Sequence, residues 1–407
     1  MMKKSSVVML LLLACLNVWG QKFVVSGKVT NARTGAVIPQ ATVGAEGERT
    51  SVITNDEGFF TLKLDQTPSA LIVSHLGYER LRHPITSSST SPLSIRLKPT
   101  SLELQEVIVW TENPRDLVYL ALSKVPENYS TKPVLYKCFY REAAMKRKHY
   151  IYVAEGVVDM YKTSYRHDML HDRVAIKKGR RLLSPKESDT LGVKVAGGPV
   201  MPLYFDLVKN TDFLLNEEDL ANYEFKMDGF EVIDDRVQYV VRLSPRVWTP
   251  WALFNGKLFI DRRNLSISRA ELSLDMSDAA RATSYMLRKK PQGVRFKPKE
   301  FSILIDYRQD GSKTHINYLR CTYRFNCDWK RRLLATNFSV TCEMVVTDRQ
   351  EEGIESIRGR DSFDSHDAFY DKVDYFLDTK FWEGYNIIEP TETLDKAIDK
   401  LLKKYKK

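Results

Sequence analysis

Histidine and cysteine are scarce in this chain, at seven and five of 407 residues. The sparse histidines form neither HExxH nor HxxE, which removes the usual zinc-peptidase patterns. The cysteines form no CxxC pair, and neither a GxSxG elbow nor a phosphate-binding GxxxxGK loop is present. Long apolar runs are missing too. Only VVMLLLLACL near the N-terminus is strongly apolar, and it falls well short of the roughly 20 residues that span a bilayer.

That run has a different meaning. Lys3 and Lys4 precede it, and NVWG follows just before Gln21, which is the layout of a secretory signal over residues 1–20. Two readings stay open: cleavage near Gly20, or acylation of Cys15 as in a lipoprotein. Leu13 is bulky for the position two before an acylated cysteine, and a cut at Cys15 leaves a very short apolar core. The first reading is therefore favoured, and an exported, periplasmic or outer-membrane-associated chain is expected. Net charge is 62 − 52 = +10. Loss of Lys3 and Lys4 leaves +8, so an exported basic protein meets anionic glycolipid or polysaccharide rather than nucleic acid.

From Phe23 to residue 98 the pattern is short strands and turns without a helix, which predicts a small β-sandwich. SVITNDEGFFTLKL reads as a hairpin, with Asn55 and Asp56 bonding their own backbone and Gly58 taking positive φ. Phe60 and Leu62 alternate with Thr61 and Lys63, so one face is buried. Asn55, Asp56 and Glu57 supply too few oxygens for a calcium loop. The blocks SGKVTNARTGAVIPQATV, TNDEGFFTL, LIVSHLGYE and SIRLKPTSLELQEVIV occur in order over residues 23–110. Together they resemble the carboxypeptidase regulatory-like domain of bacterial envelope proteins. The resemblance implies a transthyretin-like sandwich and does not imply peptidase activity.

Residues 99–133 read as a linker and a short helix, with Asn113 as cap, Pro114 in the first turn and a stripe of Leu117, Leu120, Ala121 and Val125. Residues 134–350 then read as a meander of long strands, predicting a larger curved antiparallel sheet. The block NGKLFIDRRNLSISRAELSLDM resembles the strand pairs of lipoprotein-carrier half-barrels. FYRE and FWEGYNIIEP resemble blocks of secreted proteins that carry the same N-terminal domain. Residues 351–407 end in an amphipathic helix whose stripe is Leu394, Ala397, Ile398, Leu401, Leu402 and Tyr405. Thr391 or Thr393 caps it, and the stripe is expected to close the open side of the sheet. The fold class is thus mainly β, a small sandwich followed by a larger curved antiparallel sheet with a few helices.

Candidate sites are few. Trp248, Trp251, Phe254 and Phe259 are close enough in sequence to line an apolar pocket. His167 and His171 stand four apart and, on a helix, would share a face with Asp168 and Asp172 for a metal ion. A strand through 321–329 with a tip at 330–332 brings Cys321 opposite Thr341 or Cys342, making Cys321–Cys342 the expected bridge. KRK at 146–148, KKGRR at 177–181, RKK at 288–290 and KRR at 330–332 read as solvated hairpin tips, with contact with an anionic surface as the alternative. No cofactor is expected. These features together point to a non-enzymatic envelope protein, not embedded in the membrane, that binds an apolar ligand, a glycolipid or an envelope partner. The alternative is a hydrolase using carboxylates such as Glu231, Asp234 and Asp235.

Overall fold

The computed structural model describes residues 23–86, 92–100, 113–184, 194–195, 197–329, 335–375 and 381–405. The expected leader, Cys15, the LQEVIV stretch and the basic tip at 330–332 lie outside the described residues.

Seven strands build the first layer pair: β1 (Phe23–Asn31), β2 (Thr42–Ala45), β3 (Ser51–Ile53), β4 (Phe59–Leu64), β5 (Ala70–Ser74), β6 (Leu81–Pro84) and β7 (Leu93–Leu97). They divide into sheets of order β4-β1-β7 and β3-β2-β5-β6. Val29, Phe60, Leu62 and Val73 are among the residues sealed between them. The TNDEG turn forms as its residues dictate: Asn55 Oδ1 accepts from the Glu57 and Phe59 amides, each at 2.9 Å, and Gly58 has φ +80°. Its flanking strands nevertheless belong to different sheets. The turn is a corner between layers and not the hairpin expected, because the apolar residues on both sides are drawn into one core from opposite directions.

Helix α1 (Pro114–Ser123) is capped by Asn113, whose side chain accepts from the Arg115 amide, and buries Leu117, Val118 and Ala121. Leu120 is exposed instead, so the buried stripe is rotated by part of a turn from the one expected. The helix ends before a further turn, α2 (Val125–Asn128), that contains Pro126.

The second sheet is formed by β8 (Val134–Lys146), β9 (His149–Lys162), β10 (Arg173–Leu183), β12 (Tyr223–Ile233), β13 (Arg236–Pro245), β14 (Phe254–Asp261), β15 (Ile267–Leu274), β17 (Val294–Asp310), β18 (Lys313–Trp329), β19 (Thr336–Gln350) and β20 (Asp374–Tyr375). A separate pair joins β11 (Lys194–Val195) to β16 (Leu287–Lys289). The large sheet runs β12-β13-β14-β15-β17-β18-β19-β8-β9-β10-β20. All its pairs are antiparallel except β10–β20. KKGRR lies inside β10, with Arg180 buried, and is therefore not a hairpin tip.

One face of this sheet, the inner face, carries the main core. It is covered by α1, by α3 (Met201–Tyr204) and α4 (Glu217–Leu220) with their connections, by α5 (Ala279–Met286), and by residues 363–373. Gly156 and Gly179 make this cover possible. They face each other across β9 and β10. A Cβ on Gly156 would come within 2.8 Å of the Phe369 ring, and one on Gly179 within 2.3 Å of Val373. Glycine in a strand interior here marks a close approach.

The outer face carries the sandwich and α6 (Glu392–Tyr405). Thr391 caps α6, its Oγ1 accepting from the Leu394 amide at 3.2 Å. Leu394, Ile398 and Leu401 pack on Ala143, Val153 and Leu182. The helix thus docks on the sheet, but on the face opposite the main core rather than over its open side. No described helix is long and apolar enough to cross a membrane.

Candidate functional site

Alternation along β8 sends Tyr140, Glu142 and Ala144 to the inner face and Phe139, Arg141 and Ala143 to the outer one. In the inner row Cys321 faces Cys342, and Cys342 faces Glu142. The Tyr140 hydroxyl donates to Glu142 Oε2 at 2.9 Å and accepts from the Gly198 amide at 3.0 Å. Gly197 lies directly above, where a Cβ would stand 3.7 Å from Cys342 Sγ and 3.8 Å from Glu142 Oε2. Burial pushes the Glu142 carboxyl up to about 7, against the Tyr140 hydrogen bond. Near neutral pH it is half protonated and can donate as well as accept.

The same burial disfavours the thiolate. It pushes Cys138, Cys321 and Cys342 far up and Cys327 up to about 11. A nucleophilic cysteine needs the opposite shift. Two residues beyond Cys321 on the same face, Tyr323 stacks on Phe301 at 4.5 Å. Its hydroxyl is buried and has no hydrogen-bond partner among the described residues. The inner face therefore brings buried aromatic side chains together with uncharged hydrogen-bonding groups: a protonatable acid, the Tyr140 phenol and the unpaired Tyr323 phenol. Such a set suits a neutral polar group on an apolar body.

The aromatic residues expected to share a pocket are not brought together. Phe254 sits in the inner core, at 6.1 Å from Phe301 and 5.4 Å from Tyr285. Phe259 is five residues on and points to the other face of β14, because side chains alternate. Trp248 and Trp251 lie on the preceding loop, 73% and 51% exposed, with the Arg281 guanidinium over Trp248.

His167 and His171 occupy an irregular connection between β9 and β10, so the helix that would align them is absent. Both are exposed, and among the described residues no group of three or more His, Cys, Asp or Glu could hold a metal ion. Asp172 turns inward instead. Lys209 Nζ lies 2.8 Å from its Oδ1, and Lys162 Nζ lies 2.9 Å from Asp206 Oδ2. The Tyr165 and Tyr307 hydroxyls donate to the two oxygens of Asp206. Two cations and two carboxylates cancel, and their mutual geometry pins residues 206–209 to the strand ends.

Asp234 and Asp235, at φ 50° and 58°, are the two central residues of the β12–β13 hairpin. That is the backbone of a primed turn, and Asp235 accepts from the Arg80 amide at 2.9 Å. Glu231 is exposed beside Gly77 of the sandwich. These carboxylates form a polar contact between domains. Cys321 and Cys342 are register partners, one of the two pairings the strand count left open, but the expected bridge is not formed: all four described thiols are free and buried.

The outer face carries a row that the sequence reading missed. Arg320, Glu343, Arg141, Glu155 and Arg180 face one another in turn across five strands, alternating in sign. Arg141 and Arg180 hold Glu155 at 2.8 and 2.9 Å, and the Trp382 indole donates to Glu155 Oε2 at 3.1 Å. The available signal was charge recurring at period two inside apolar strands: Arg141 follows buried Phe139, and Glu155 precedes Val157.

Comparison with known proteins adds to this geometry. Residues 25–109 match the model of the CarboxypepD_reg-like domain. That match spans the sandwich. No curated protein matches the chain. Among solved structures, a domain described as an outer membrane lipoprotein-sorting protein from Vibrio parahaemolyticus is similar at 10% identity and a TM-score of 0.31. The match covers 60% of this chain and 95% of that one. A LolA superfamily protein from Nitrosomonas europaea is similar at 12% identity and a TM-score of 0.21, over 60% of this chain and 98% of that one. Lipovitellin is similar at 10% identity and a TM-score of 0.27, over 55% of this chain and 26% of that one.

Proposed function

We propose that the protein is an exported, non-enzymatic envelope module that holds the neutral headgroup of an amphiphile, such as a glycolipid, against the inner face of its large sheet. The observation that carries this reading is the Tyr323 hydroxyl, buried without a described partner among aromatic side chains. Leaving such a group unpaired costs on the order of 1–3 kcal/mol, which a hydroxyl or amide from a ligand would recover. Glu142, held near neutrality by burial, supports an uncharged ligand, since no cation pairs with it among the described residues. The raised thiols and the turn geometry of Asp234 and Asp235 support a non-catalytic role. The leader-like residues 1–20 support export.

Titration with a short-chain alkyl glycoside below its micelle concentration tests this, with the alkyl sulfate of equal chain length as control. Saturable binding of the glycoside, weakened in Tyr323→Phe and Glu142→Gln, is the expected result. Equal affinity for the sulfate, no binding of either, or turnover of peptide, ester or glycoside substrates would overturn the reading.

A further inference from the structure

On the outer side of the sheet, two distant parts of the chain bring cations around one cleft. The β8–β9 hairpin contributes Lys146, Arg147, Lys148 and His149, and α6 contributes Lys396 and Lys400. The cleft has a volume of about 480 Å³, and no carboxylate is among the described residues that line it. Its floor is apolar, formed by Tyr150, Ile151, Ala397 and Leu401.

Both walls are fixed in place. Lys146 pairs with His149, leaving Arg147 and Lys148 as the turn. Arg147 takes φ 57°, and its amide donates to the Asn337 carbonyl at 2.8 Å. Lys396 and Lys400 are four apart, hence on one side of α6, and the helix is anchored by Leu394, Ile398 and Leu401. Lys396 is exposed as well but pairs with Glu392 on the helix flank, and Arg147, Lys148 and Lys400 are further exposed cations of the cleft. The other basic run that was expected to be free, KKGRR, differs. Its Arg180 is buried and engaged by Glu155.

We propose that this cleft is an anion site that takes a phosphate group, presented either as a free phosphate compound or as the headgroup of an anionic lipid. Converging cations over an apolar floor attract a tetrahedral dianion from several sides, and the floor accommodates what the phosphate is attached to.

Isothermal titration of the full chain with inorganic pyrophosphate, and cosedimentation with phosphatidylcholine vesicles containing phosphatidylglycerol, test the site. Lys148→Glu and Lys400→Glu serve as variants, both positions being exposed, with circular dichroism and melting as folding controls. Each reversal should weaken binding about tenfold at low salt, by Coulomb's law over several ångströms of water, and added salt should weaken it further. Saturable pyrophosphate binding lost in the variants supports a free phosphate compound. Vesicle binding alone, lost in the same variants, supports a lipid headgroup. Absence of both, or binding unchanged in folded variants, would overturn the proposal.

Discussion

Trp382 donates its indole N–H to Glu155 across 227 positions of sequence, and the carboxylate that receives it is already held by Arg141 and Arg180. The FWEGY segment is thereby bound to the middle of an ion row and not merely laid on an apolar surface. Burial pushes the Glu155 carboxyl up, but Arg141 and Arg180 outweigh it and hold the group below its ordinary value. Glu155→Gln leaves two buried guanidinium groups without their shared anion. Equilibrium denaturation should show a loss of about 3–5 kcal/mol, the usual result of breaking a buried pair. Trp382→Phe keeps the ring and loses one hydrogen bond, at about 1–2 kcal/mol. Similar losses from both variants would mean that the row contributes only packing.

Glu142 should reveal itself in pH dependence of the opposite sense. Its folded value is raised to about 7 from an ordinary 4.5, so the folded state binds more protons between those limits. Stability from this group is therefore intact below about pH 4.5 and declines as pH rises to about 7. The decline is about 3 kcal/mol at 1.36 kcal/mol per pKa unit. Glu142→Gln removes it. Urea midpoints of both proteins from pH 4 to 8 should converge at the acid end and separate toward neutrality, with the variant the more stable. Parallel curves would assign the carboxyl an ordinary value.

Cys321 and Cys342 are the pair in register, and we expect them to bridge when a disulfide oxidant is supplied during refolding. With oxidised glutathione the two thiols give up two protons and two electrons, and the oxidant leaves as two molecules of glutathione. Peptide mapping without reduction should recover the 321–342 link, with Cys138 and Cys327 alkylated after denaturation. A link through Cys138 or Cys327, or four alkylated cysteines, contradicts this.

Removal of residues 391–407 uncovers Ala143, Val153 and Leu182 and withdraws the three aliphatic side chains of α6 that cover them. Each such side chain contributes on the order of 1.5–3 kcal/mol. The melting temperature should therefore fall by several degrees or more. An unchanged melting temperature would show that the helix is not docked in solution.

The sandwich, the capped helices and the long meander were legible because each is written in local pattern: turn residues, period-two alternation, and Asn113 or Thr391 before an apolar stripe. Long-range geometry was less so. The TNDEG turn reads as a hairpin because turn chemistry does not specify which sheet each arm joins. KKGRR looks like a surface tip because its neutralising partner, Glu155, is supplied by another strand. Asp172 looked like a metal ligand for the same reason. Its partners Lys162 and Lys209 lie 10 and 37 positions away, and only tertiary packing turns it inward. Of the inner-face groups, Glu142 closes the FYRE block, a resemblance that assigns it no role, and Tyr323 carried no motif.

Direct contacts such as Arg320 to Asp56 and Asp235 to the Arg80 amide join the sandwich to the sheet, and others depend on residues made after both. Lys63 Nζ donates to the carbonyls of Trp382 and Tyr385, Asn386 hydrogen-bonds both ways with the Lys63 backbone, and the Asn55 amide reaches the Pro390 carbonyl. During vectorial synthesis the sandwich and the sheet can each acquire a core, and the part of their seam filled by residues 381–392 closes last. A chain arrested before that stretch would keep only the direct contacts, so the last segment acts as a late fastener on a joint that the strands have already begun.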